Sequence, residues 1–158
     1  MIGPARPDEM DTICSIAQVA WEPIHEAIID DVGEALHDVL SGDWKERKAA
    51  QIRRQYGNNP EWVLAIRESE QVVGFVTFAI DQALSIGTIH NNAVRPASQS
   101  KGIASAMYAH VLELFRREGL KYARVGTGLD PGHAPARRAY EKAGFNLRSE
   151  EVTYYQEL

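Results

Sequence analysis

The sequence predicts an α/β fold: a single domain in which a mixed, mostly antiparallel sheet carries helices on both faces. Three observations predict it. Short runs rich in β-branched and aromatic residues alternate with longer segments whose apolar residues recur every three or four positions. Residues 62–67 (WVLAIR) and 72–80 (VVGFVTFAI) read as strands joined by the polar turn 68–71, hence as an antiparallel hairpin. Residues 86–119 read as strand, polar loop and helix, with a further strand at 122–127, so a right-handed crossover makes those two strands parallel.

Each element has its own warrant. Residues 2–6 suit a short first strand, stopped by Pro7-Asp8, where a helix begins. Met10, Ile13, Ile16, Ala17, Ala20 and Trp21 then mark one face of that helix, and Pro23 is expected to interrupt it. Ile24, Ile28, Val32, Leu36, Val39 and Leu40 predict one or two more helical pieces ending near Ser41-Gly42. Residues 44–56 are mostly charged, with Ile52 and Tyr56 on one side, and Gly57 to Pro60 end them. Residues 84–94 are apolar on both parities, as a strand covered on both faces would be. The helix at 102–117 buries Ile103, Met107, Val111, Leu114 and Phe115, and Gly119 stops it. Pro135 opens a last helix that Gly144 closes, and residues 145–147 with 152–155 are expected to end the sheet as a hairpin.

Composition narrows the class. With 158 residues, 44% hydrophobic and 25% charged, the chain suits one globular domain that needs no disulfide or metal. Cys14 is the lone cysteine, and no Cys/His cluster has zinc spacing. That usage fits a reducing cytoplasm. No apolar run approaches a membrane span, and the first ten residues lack the pattern of a signal peptide. A net charge of -5 argues against nucleic acid as a partner. The charge is uneven: Glu22, Glu26, Asp30, Asp31, Glu34, Asp38, Asp43 and Glu46 face only Lys45 within their segment.

Two motifs carry chemistry. The loop Gln99, Ser100, Lys101, Gly102, Ile103, Ala104 brings the free N–H groups of a first helical turn together beside Lys101. Such a turn binds anions, and Gly102 and Ala104 let a phosphate approach the main chain. The second motif is HAPARRAYEKAGF, His133 to Phe145. The first resembles the coenzyme A pyrophosphate loop, Gln-x-x-Gly-x-Ala, of the GCN5-related N-acetyltransferase (GNAT) superfamily. The second resembles that superfamily's Asn-x-x-Ala-x-x-x-Tyr-Glu-Lys-x-Gly-Phe segment, and the order is the family's.

The resemblance implies a GNAT domain over residues 1–158, with acetyl-CoA as co-substrate, no metal, and two parallel strands that splay around the cofactor's arm. It places the pairing edge at Asn92, Ala93 and Val94, with a backbone N–H near Val94 aimed at the acetyl carbonyl. It matches Ala136 to the family alanine and Tyr140 to the tyrosine near the coenzyme sulfur, where a phenol protonated at neutral pH suits the departing thiolate. His133 stands where the family usually has Asn, and is assigned to cofactor contact, to a structural role or to catalysis. Ser100 and Gln99 depart from the family's Gly and Arg. His90 and Glu22 are the two candidates for a general base, a water relay being the alternative.

The implied activity is transfer of acetyl to a primary amine by direct attack. The alternative is a non-catalytic acyl-CoA sensor of the same fold. The acceptor is a small-molecule or protein amine, and the acidic segment would favour a cationic one if it lined the cleft, or else it is a solvated helix face. The family's habit of pairing through C-terminal strands points to a homodimer edge at residues 152–155.

Overall fold

The apolar runs form five strands in one sheet, ordered β1-β2-β3-β4-β5, in a computed structural model that describes all 158 residues. The strands are β1 (Ile2–Pro4), β2 (Val63–Glu68), β3 (Gln71–Asp81), β4 (Ile86–Val94) and β5 (Tyr122–Val125). The first four are antiparallel to their neighbours, and β5 runs parallel to β4. The expected mixed sheet with one parallel pair is therefore what forms. The hairpin turn holds Ser69 at φ 47° and Glu70 at φ 65°, two positive angles that match the twist of the flanking strands.

Helices cover both faces. On one lie α1 (Met10–Val32), α2 (Glu34–Ser41) and α3 (Trp44–Asn58); on the other lie α4 (Ile103–Arg117) and α5 (Ala134–Lys142). Met10, Ile13, Ile16, Ala17 and Ile52 pack on Val63, Ala65, Val72, Phe75 and Ala93 of the first face. Met107, Tyr108, Val111, Phe115 and Tyr140 pack on Leu64, Ile66, Val76, Phe78 and Ile89 of the second. Alternate residues of each strand thus feed two separate cores. At Gly87 an added Cβ would come within 2.5 Å of the Phe115 ring, so the missing side chain is what lets α4 lie close.

Two expectations are corrected. Pro23 does not break α1, which runs unbroken through it to Val32. The carbonyl that Pro23 leaves without a partner belongs to Val19, on an exposed part of the helix where water replaces the lost bond. The closing hairpin is absent: residues 145–158 contain no strand, and Leu147, Val152 and Tyr154 are exposed. A two-stranded ribbon of that length needs a covered face, and the Arg148-Ser149-Glu150-Glu151 stretch between its halves supplies none. The dimer edge expected there has no strand to carry it within the single chain.

The N-terminal strand is held by charge. Arg67 donates from Nε and Nη2 to the two carboxylate oxygens of Glu9, each at 2.6 Å, and Nη2 also reaches the Pro4 carbonyl at 2.9 Å. Both side chains are buried, at 5% and 7% exposure. Arg6 N–H donates to the same carboxylate at 2.7 Å. These donors, Arg67 first, hold the Glu9 pKa down at about 2 against the opposing effect of burial. The folded value lies below the ordinary carboxylate value. The stabilisation is therefore complete above about pH 4.5 and is lost as pH falls towards 2. Glu9→Ala leaves the guanidinium buried and unpaired, and is expected to cost about 3 kcal/mol or more by urea denaturation at pH 7. At pH 2 the difference between wild type and variant should shrink, because the wild-type carboxylate is itself being protonated.

Candidate active site

The site begins where two strands part. Pairing of β4 with β5 runs from Ile86 opposite Tyr122 to Ile89 opposite Val125 and stops. Beyond it, residues 92–94 of β4 remain paired with β3 alone. The register shifts there: Phe78 faces Ile89 and Val76 faces Asn92, so His90 and Asn91 together stand opposite Thr77. This is a β-bulge. The Thr77 hydroxyl oxygen accepts the Asn91 N–H at 3.0 Å, which replaces the ladder bond that the extra residue would lose.

The bulge decides which groups look where. Arg95 N–H donates to the Val73 carbonyl at 2.8 Å, while Val94 stands opposite Gly74. In an antiparallel pair that arrangement turns the N–H and C=O of Val94, and by alternation those of Asn92, away from β3. They face the open edge. The Val94 carbonyl is taken by Gln99 Nε2 at 3.1 Å, whereas the Val94 N–H points into the gap. The main-chain groups of Asn92 and Val94 thus face the open edge, while those of Ala93 between them pair with β3.

Side chains meet at the same edge. The Asn92 carboxamide accepts from the Tyr108 hydroxyl at 2.7 Å and donates to the Tyr140 oxygen at 3.2 Å and to the His90 carbonyl at 3.1 Å. Tyr108 and Tyr140 lie with ring centroids 5.1 Å apart, and Phe145 meets Tyr140 edge-on at 6.0 Å. Burial, then the neighbouring Tyr140, pushes the Tyr108 pKa above that of an ordinary phenol, so Tyr108 keeps its proton and remains the donor to Asn92. The Tyr140 oxygen accepts, which leaves its own O–H uncommitted. Ala136 and Ala139 pack against the same cluster and keep α5 close to it.

The loop before α4 has the backbone of an anion site. Gly102 is the N-cap at φ 78°, with no side-chain cap, and the first carbonyl taken up by the helix is its own, by Ala106 N–H at 3.0 Å. The N–H groups of Ile103, Ala104 and Ser105 accordingly have no helical acceptor. An added Cβ at Gly102 would meet nothing within 4 Å, so the position asks for glycine through its left-handed backbone. Ser100 takes φ 63° as well, a left-handed angle that glycine would adopt with less strain. Lys101 is half-exposed, 3.8 Å from Glu68.

The other candidates are placed differently. The Asp130 carboxylate, 18% exposed, holds His133 through Nδ1 and the backbone N–H, leaving only Nε2 for a ligand. Burial raises the Asp130 pKa, but the bond and charge of His133 outweigh it and the net direction is down. The His90 ring stands on the opposite sheet face from Tyr140, in an open groove of about 280 Å³ shared with Gln51, Arg54 and Gln55. Burial, then Arg124, holds its pKa below the ordinary histidine value. Glu22 is an exposed carboxylate on α1 bound to Lys45 at 2.7 Å, and no contact joins it to Tyr140 or His90. Glu26, Asp30, Asp31, Glu34 and Asp38 are exposed, a solvated face.

The edge, the loop and Tyr140 are residues that the sequence reading singled out; Tyr108 and the role of the Asn92 side chain are not among its candidates. Tyr108 adjoins Met107 on the apolar stripe of α4, and a polar tip on such a stripe is the signal that could have found it.

Comparison with solved structures shows the same fold in several acetyltransferases. The chain aligns with the aminoglycoside antibiotic 6'-N-acetyltransferase AAC(6')-IG from Acinetobacter haemolyticus at a TM-score of 0.68 and 11% identity, over 100% of this chain and 99% of that one. It aligns with Ard1 from Thermoplasma volcanium at a TM-score of 0.71 and 20% identity, over 94% and 84%. It aligns with the PaiA N-acetyltransferase from Thermoplasma acidophilum in complex with coenzyme A at a TM-score of 0.70 and 15% identity, over 96% and 92%. No curated protein matches in a direct sequence comparison. The acetyltransferase (GNAT) family, however, matches residues 22–145, which include the splayed edge, the N–H loop and Tyr140, and the chain belongs to that family.

Proposed function

We propose that the protein moves an acetyl group from acetyl-CoA to a primary amine by direct attack of the amine. The observation that carries this reading is the Tyr140 phenol, fixed by Asn92 at the mouth of the splay with its own proton unspent. The cofactor, when bound, supplies an activated acetyl thioester and a thiolate leaving group.

The residues present fit it. The N–H groups of Ile103 and Ala104, with Lys101, suit a diphosphate. Gln99 and Ser100 shape that turn, Gln99 by tying it to Val94. The open polar edge of Asn92 to Val94 suits an arm that carries amide groups, and His133 Nε2 adds one more polar contact. The Val94 N–H is the donor available to an oxygen on which negative charge builds. The acceptor nitrogen bonds to the acyl carbon as the carbon–sulfur bond breaks. Tyr140 gives its proton to the sulfur, and the nitrogen gives one to His90, whose pKa burial and then Arg124 hold below the ordinary histidine value. Glu22, paired with Lys45 on the exposed side of α1, is given no role in this scheme.

No helix is long and apolar enough to cross a membrane. The buried free thiol of Cys14 suits a reducing compartment such as the cytoplasm.

Acetyl-CoA and CoA are expected to raise the melting temperature, and acetyl-CoA with an amine panel to release thiol. Tyr140→Phe should lower kcat by about 10²-fold or more while leaving the CoA-induced shift intact. A shift without turnover in the wild type would instead describe an acyl-CoA-binding module. Tyr108→Phe removes the donor that orients Asn92, and is expected to cost about 1–2 kcal/mol of stability. It should also lower kcat more than it raises the KM for acetyl-CoA, as steady-state kinetics would show.

A further inference from the structure

The bulge turns Asn91 as well as His90 towards α3, and there one buried donor stands without an acceptor beside a cation without a counter-charge. Asn91 is 5% exposed, and its Nδ2 is a buried side-chain nitrogen with no hydrogen-bond partner. Its Oδ1 accepts from Lys48 Nζ at 3.0 Å, which fixes the orientation of the amide and sets the orphan N–H beside the ammonium. Lys48 is half-buried, and everything else it meets is neutral: Gln51 Oε1 at 3.2 Å and the face of Trp21 at 4.4 Å. His25, the nearby ring stacked on Trp44, brings no anion. Burial first, then His37 and Lys48, holds its pKa down at about 4. Burial lowers the Lys48 pKa too, the direction expected of a cation with no counter-charge. Water could satisfy the amide, but it would leave the charge uncompensated.

These groups lie between β4 and the helices α1 and α3. α1, which carries Trp21, packs both on β4 and on the turn Pro131–His133, and so roofs the gap left by the parting strands. We infer that Lys48 and Asn91 Nδ2, under Trp21, form a carboxylate subsite, and that the acceptor is an amino carboxylate, an amino acid or a short peptide end, held by its acid group. The assignment of the bound molecule as an acceptor rests on the acetyl-transfer reading. The carboxylate subsite itself does not.

Two measurements separate them. Without cofactor, the protein is titrated calorimetrically with N-acetyl derivatives of glycine, leucine, phenylalanine and lysine, each against its uncharged C-terminal amide. At least one acid should bind about tenfold or more tightly than its amide, since a charged hydrogen-bonding pair is lost in the latter. In Lys48→Met that preference should disappear. Asn91→Asp supplies an internal carboxylate to Lys48, so it should raise the melting temperature while abolishing acid binding, which guards against mere unfolding. With acetyl-CoA present, kcat/KM for free amino acids should exceed that for their amides by a similar factor. Equal binding of acids and amides, no binding of any acid, or a preference that survives both substitutions overturns the subsite. Acid binding without thiol release, or without a CoA-dependent thermal shift, overturns the acetyl-transfer reading and leaves the subsite standing.

Discussion

The end of pairing between β4 and β5 at Ile89 and Val125 is the constraint on which the rest of the site depends. A sheet normally satisfies each strand's main-chain groups through its neighbour, and an interior strand with a bare edge has to find other partners. β4 gains that edge because β5 is only four residues long and the chain then turns away into the Pro131–His133 turn. The bulge at His90 and Asn91 lets β4 keep its pairing with β3 while its outer side is free. Without the extra residue, the side chains of 92–94 would face the opposite cores and Asn92 could not meet Tyr108 and Tyr140.

Buried polarity in this protein comes in two kinds. Glu9 and Arg67 are matched in charge and saturated with donors, and they join the chain's start to the sheet. The groups around β4 are deliberately incomplete by comparison. Tyr140 holds a proton with no acceptor, the Val94 N–H faces a gap, and Asn91 has a nitrogen with nothing to bind. Saturated pairs give rigidity, whereas unspent donors in a rigid frame are what a binding or reacting group needs.

Much of this was legible in the sequence because it rests on local rules. The β-branched runs set β2 and β3, the three-four spacing set α1 and α4, and the Gly102 turn needs only short-range backbone geometry. Other features depend on groups distant in the chain. Whether Pro23 ends a helix depends on whether the Val19 carbonyl can be hydrated, which is a matter of tertiary exposure. Whether residues 145–158 form strands depends on a partner surface that no local pattern reveals. The Lys48–Asn91 contact joins residues 43 apart, and the face that Asn91 takes is set by a one-residue bulge. Periodicity cannot show such a contact.

The brevity of β5 also bears on how the sheet ends. Its outer side is the rim of the sheet, where exposed main-chain groups can recruit a strand from another chain and begin aggregation. Four residues offer little template, and Lys121 and Arg124 put positive charge beside or within them, so a second copy approaching in register would meet its own like charges. β1 ends the sheet on the other side with three residues, one of them a proline. Both rims offer only short templates, and the strand shortage that opens the cleft also limits edge-to-edge pairing.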